Sequence, residues 1–100
     1  MFIARVRGNV VTSQKVDKMA GKKLLIIEPL KVEETGEMSP TGRCIVAVDS
    51  IGSGTEDIVL VTQGSSARMT DFTSDAPVDA VVIGIIDTVS TMGKIVYRKG

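Results

Sequence analysis

Two stretches constrain this chain more than any others: Leu24-Leu25-Ile26-Ile27, and Ala80 through Ile86 with a single glycine inside it, are apolar at every position. Both read as strands, bounded by Gly, Pro, Asn, Asp and Ser. Successive side chains of a strand point to opposite faces, so a sheet wet on one side alternates apolar with polar residues. These two do not alternate, and something must cover both faces. In an α/β protein helices would do it, but no segment here carries a long amphipathic stripe. A closed barrel hides one face of each strand inside itself, which leaves the outer face to lie against another copy of the chain. The expectation is an all-β oligomer whose subunit number this argument does not fix.

One hundred residues suit one domain, 1–100, and are too few for two cores. Phe2 to Thr12 reads as a strand with a bulge or bend at Gly8, followed by a polar connection from Ser13 to Gly21. Lys22 to Leu30 is the second strand, with Pro29 marking an edge or a bend near its end. Residues 31–42 are acidic and carry Gly36, Pro40 and Gly42, the pattern of a solvent-exposed, mobile loop. Further strands are expected at Arg43–Val48, Asp57–Thr62, Val78–Val89 and Lys94–Arg98. Gly64 to Met69 suits one helical turn, with Ser65 or Ser66 as its N-cap.

Composition narrows the chemistry. Only 3% of residues are aromatic against 43% hydrophobic, so the core is aliphatic and base- or sugar-stacking sites are disfavoured. Net charge is zero but segregated: residues 1–31 carry seven basic and two acidic side chains, 32–93 two and ten, 94–100 three and none. Pairing or solvation within an assembly explains that pattern more simply than a nucleic-acid patch. Cys44 is alone, which fits a reducing cytoplasm, and its apolar neighbours suggest a small buried hydrophobe. Arg5 and Arg7 interrupt the N-terminal apolar residues, unlike a secretory signal, and the longest apolar run is far short of the ~20 residues of a membrane helix.

The glycine-rich loop Asp49-Ser50-Ile51-Gly52-Ser53-Gly54 invites a phosphate-binding reading. It fails on the residues that follow, because Thr55, Glu56 and Asp57 lead into a strand rather than a helix and place carboxylates where a phosphate would arrive. A structural turn is the better reading, with Asp49 and Ser50 bracing it through bonds to its own amides. There is no histidine, hence neither the commonest general base nor the commonest metal ligand. Cys44 with carboxylates makes an improbable zinc set, and Asp71 and Asp75 lack the glycine and glutamate of a calcium loop. Ser65, Ser66 and Arg68 suit helix capping and an ion pair better than catalysis, for want of a base. The residues thus give no catalytic, cofactor or metal site.

Taken together, MFIARVRGNVVTSQKVDKMAGKKLLIIEPL, AVDSIGSGTEDIVLVTQGSSAR and PVDAVVIGIIDTV resemble the bacterial-microcompartment vertex proteins of the EutN/CcmL type, the ethanolamine-utilisation and carboxysome vertex subunits. The likeness spans essentially the whole chain and is most specific at Asp49, Gly52, Gly54, Gly64, Ser65, Ala67 and Arg68. It implies a small five-stranded β-barrel of OB-like topology with one short helical turn. It also implies a homopentamer without catalytic activity that closes the vertices of a cytoplasmic polyhedral shell, among facets of hexameric and pseudohexameric shell proteins. On that reading Asp49, Ser50, Gly52, Ser53 and Gly54 form a turn near the fivefold axis or a subunit contact, where backbones crowd and only glycine fits. Gly64, Ser65, Ser66, Ala67 and Arg68 form a neighbouring contact. The competing reading is an OB-type nucleic-acid-binding module, which suffers from having only Phe2, Phe72 and Tyr97 to stack bases and no net positive charge.

Overall fold

The computed structural model describes residues 1–11, 23–64 and 79–100, which form eight strands: β1 Phe2–Val10, β2 Lys23–Val32, β3 Met38–Pro40, β4 Ile45–Asp49, β5 Ile58–Gln63, β6 Ala80–Ile85, β7 Thr88–Thr91 and β8 Lys94–Arg98. Five of them close on themselves in the order β1-β2-β4-β6-β5 and back to β1. Every pairing in the ring is antiparallel except β4 with β6. The third ring strand in chain order, β4, beside the fifth, β6, and the first, β1, beside the fourth, β5, is the order of an OB-like Greek-key barrel. β3 adds to the far end of β2, and β7–β8 is a separate hairpin.

Period-two alternation fills the interior. Ala4 and Val6, Leu25 and Ile27, Ala47, Val59 and Val61, Ala80 and Val82 are buried in one cluster, with Phe2, Ile45 and Ile85 packed against it. Ile26, Val46, Leu60 and Val81, which lie between them, face outward and are apolar as well, whereas Arg5 of β1 is charged. Val48 and Val81 are buried in a second cluster with Leu24 and Ile83, so the two unbroken apolar stretches do supply both faces. On the same outer face Ile26 stands directly opposite Val46, which is exposed.

Several expectations shift. The irregularity in β1 falls between Val6 and Gly8, so Arg7 is the extra residue of the bulge. Pro29 does not end β2; the strand runs on to Val32, and β3 begins to pair at Leu30. Having no N–H to donate, Pro29 offers its carbonyl, which accepts from Thr41 N and Thr41 Oγ1. Residues 31–42 are therefore not a free loop but the end of a hairpin, turned at Gly36 with φ +93°, whose Glu33 N donates to Glu37 O. The strand expected from Val78 to Val89 is two strands: Ile86 N still donates to Ile58 O, and the chain then leaves the barrel at Asp87. Cys44 precedes β4 and is exposed, next to Ile45, which packs against the core. The helical turn of 64–69 lies outside the described residues from position 65 onward, as does the connection of 13–21.

Candidate functional site

The loop from Asp49 to Asp57 joins β4 to β5 across one end of the barrel, and its own side chains hold it. The Asp49 side chain is buried, and its Oδ1 accepts from Ile51 N at 3.1 Å, Gly52 N at 3.2 Å and Ser53 Oγ at 3.1 Å. Its Oδ2 has no hydrogen-bond partner among the described residues and faces Lys23 Nζ at 3.9 Å. Lys23 also donates to Ser53 O at 3.3 Å, tying β2 to the loop. Ser50, expected to share the bracing, instead donates to Val82 O of β6 at 2.6 Å. A second turn follows, in which Asp57 Oδ2 accepts from Gly54 N at 2.8 Å and Asp57 N donates to Gly54 O at 3.1 Å.

The two glycines have different reasons. Gly52 sits at φ +80°, where an L side chain is strained, although a Cβ there would meet nothing within 4 Å. Gly54 has no such dihedral, and its Cβ would make only an ordinary 3.8 Å contact with Asp57. Within one subunit, then, neither position is crowded, and the crowding expected at a fivefold axis or subunit contact concerns a neighbouring copy. Ile51 at the loop tip is exposed.

Beside the loop runs a charge network that the sequence reading missed. The Arg7 bulge aims its guanidinium at Glu28 Oε1, 2.9 Å away, and at Glu56 Oε1, 3.4 Å away, while Arg5 donates to Glu56 O at 3.1 Å. Glu28 also accepts from Gly42 N at 2.9 Å. The Arg7 hydrogen bond, then that of Gly42, holds the Glu28 carboxyl below the usual carboxylate range against the opposing effect of burial. Bonding to Glu28 correspondingly raises Arg7. The available signal was the pair Arg5 and Arg7 at strand spacing, facing Glu28 only once the register is known.

Of the second group of site residues, Gly64 ends β5 at φ +67° and donates to Asp79 O at 2.8 Å, whereas Ser65, Ser66, Ala67 and Arg68 lie outside the described residues. Gly64 and Asp79 line a groove of about 340 Å³ with Ile45, Val46, Gln63 and Ala80. No cluster of potential metal ligands occurs among the described residues. Of the aromatic side chains, Phe2 packs against the core, Tyr97 is on β8, and Phe72 is outside the described residues.

Fold and loop together define a small closed barrel of OB-like topology whose glycine-rich turn is secured by its own carboxylates. Residues 1–87 match the family model described as ethanolamine utilisation protein EutN/carboxysome. The carboxysome shell vertex protein CcmL of Gloeobacter violaceus is 46% identical over 99% of this chain and 95% of its own length. The solved structure of that protein superposes with a TM-score of 0.87, covering 99% of this chain and 98% of the other. The bacterial microcompartment shell vertex protein EutN of Salmonella typhimurium is 41% identical over 99% of this chain and 96% of its own length. The pentameric microcompartment shell protein GrpN of Rhodospirillum rubrum superposes with a TM-score of 0.76 at 39% identity, over 93% of this chain and 100% of the other. The chain belongs to the EutN/CcmL family of microcompartment shell vertex proteins, whose members are structural components and not enzymes. The nucleic-acid-binding alternative is not favoured by these relatives.

Proposed function

We propose that this chain is the structural subunit that caps the vertices of a polyhedral bacterial microcompartment shell in the cytoplasm, as a homopentamer set among facets of hexameric and pseudohexameric shell proteins. The observation that carries the reading is full-length likeness to shell vertex proteins of more than one shell type, joined to a barrel whose outer face is apolar at Leu24, Ile26, Val46 and Ile83. A flat sheet of hexamers closes into a polyhedron only where fivefold units replace sixfold ones, and a ring of five barrels supplies such a unit. Apolar outer strands suit the role because ring neighbours remove them from water, at about 25 cal/mol per Å² of apolar surface.

In this reading the Asp49–Gly54 loop lies at the fivefold axis or a subunit contact, presenting Ile51, and Gly64 to Arg68 form a contact beside it. Gly54 is the sharper probe, since a side chain there fits within one subunit. A Gly54→Val protein that folds but does not assemble supports crowding by a neighbouring backbone, whereas one that assembles normally removes this loop from the contact. Native mass spectrometry of the unmodified protein tests the function as a whole. A fivefold mass is expected, and a stable folded monomer at high concentration would overturn the reading.

A further inference from the structure

The β7–β8 hairpin stands apart from the barrel. Its strands pair only with each other, none of their residues is buried, and Met92 and Ile95 are exposed, with Val89, Val96 and Tyr97 only partly covered. An isolated two-stranded hairpin is marginal in water. Its ties to the rest of the described residues are few: Thr91 Oγ1 donates to Gly36 O, Lys94 meets Glu37 at 3.1 Å, and Lys99 meets Asp57 at 3.8 Å. The molecule is drawn out to 45 Å along one axis against 24 and 23 Å along the others. The family model also stops at residue 87, one residue before β7.

A complementary surface exists on the barrel. The groove between the start of β4, the end of β5 and the start of β6 offers Ile45, Val46 and Ala80, with the acidic residue Asp79 in its lining. The hairpin offers Ile95 and Arg98, which face Ser90 and Thr88 of β7 in register, with no acid among residues 94–100, while Lys94 and Lys99 are already paired with Glu37 and Asp57. Rings require a head-to-tail contact between two different patches on every copy. Apolar-plus-cationic meeting apolar-plus-anionic makes such a pair.

We propose that the β7–β8 hairpin is a clasp that docks in the Ile45–Val46–Asp79 groove of the adjacent copy of this chain. The inference rests on the ring reading above and specifies which surfaces close the ring. Ile95 fills the apolar part of the groove, and Arg98 lies against Asp79. Electrostatic matching of this kind fixes register and direction around the ring more than it adds affinity.

Cys44, exposed and two residues from Val46, supplies the probe. Ile95→Cys and Met92→Cys are made separately in the full chain and treated with a bifunctional maleimide, while untreated samples are weighed by native mass spectrometry. Contact around a closed ring produces a covalent ladder from dimer to pentamer, because each copy both gives and receives a link. The unsubstituted protein, with Cys44 alone, stops at dimer. A pentameric native mass for a variant with only monomer or dimer after treatment in both overturns the clasp and leaves the ring intact. Absence of any fivefold mass in the unsubstituted protein overturns the ring and the clasp with it. A charge swap gives the second arm: Asp79→Lys is expected to raise the concentration at which the ring half-dissociates tenfold or more, and adding Arg98→Glu to restore most of it. No rescue by the double variant would count against the Arg98–Asp79 pairing.

Discussion

The barrel and the β7–β8 hairpin are built from similar β-branched residues, yet they stand at opposite extremes of self-sufficiency. Each barrel strand has a neighbour on both sides, and inward residues such as Val6, Ile27, Val59, Val61 and Val82 are fully enclosed within the same chain. Each hairpin strand has one neighbour, and no residue of it is enclosed. Residue type therefore does not decide burial here; closure does. A strand in a closed ring has no edge left to satisfy, while an open hairpin keeps two edges and both faces for something else to cover. Among the described residues the enclosed core thus lies in the barrel strands, and the hairpin supplies none of it.

The largest test of that contrast is a matched pair of truncations. Ile27→Ala empties a fully enclosed site and is expected to lower stability by about 2–5 kcal/mol in chemical denaturation. Ile95→Ala, on the exposed hairpin, is expected to change the dissociated subunit by less than about 0.5 kcal/mol. Equal costs would mean that the hairpin belongs to the same cooperative unit as the barrel. Next comes Asp49→Ala, which strands Ile51 N, Gly52 N and Ser53 Oγ, for an expected loss of about 1–3 kcal/mol. Asp49→Asn keeps an acceptor for these donors and is expected to cost less than the alanine variant. An asparagine as damaging as alanine would shift the weight from the hydrogen bonds to the Lys23 charge 3.9 Å away.

Smaller still is the difference between the two loop glycines. Gly52→Ala places a side chain at φ +80°, with an expected cost of about 1–2 kcal/mol, whereas Gly54→Ala meets only an ordinary contact and is expected to be close to neutral in the dissociated subunit. Matching losses from the two would show that the turn responds to flexibility rather than to one dihedral angle.

How far the sequence disclosed all this follows the same division. Continuous apolar runs at Leu24–Ile27 and Ala80–Ile86 announced two covered faces, because period-two geometry leaves no other reading for a strand. The Asp49 brace was legible, since a carboxylate ahead of a glycine turn can reach back to its amides within a few residues. Less legible was anything set by register. Glu28 and Arg7 are 21 residues apart and meet only because the bulge offsets β1 against β2. The acidic segment 31–42 looked like a loop because its composition is polar, but a three-residue strand needs only the edge of β2 and a glycine turn to form. Cys44 misled for the converse reason: an apolar run where a strand begins need not be buried in one subunit, and both Cys44 and Val46 are exposed.

The gentlest test compares two carboxylates, Glu28 against the barrel and Glu33 in the β2–β3 hairpin that extends beyond it. Glu28 is held low chiefly by the Arg7 hydrogen bond, and Glu33 by the Ser39 hydroxyl followed by the charge of Lys31. In both, the folded-state pKa lies below the unfolded value, so the stabilisation is complete above the ordinary glutamate range near about 4.3. As pH falls through that range the unfolded chain binds protons first, and stability declines until the folded-state value is passed. Glu28→Gln is expected to flatten this acid limb in denaturation curves taken between neutral and acidic pH. Glu33→Gln should flatten it less, because Lys31 and Glu33 are both largely exposed and their attraction is screened by water. If Glu33→Gln flattened the limb more than Glu28→Gln, the β2–β3 hairpin would be contributing more acid-sensitive stability than the Arg7–Glu28 pair beside the barrel.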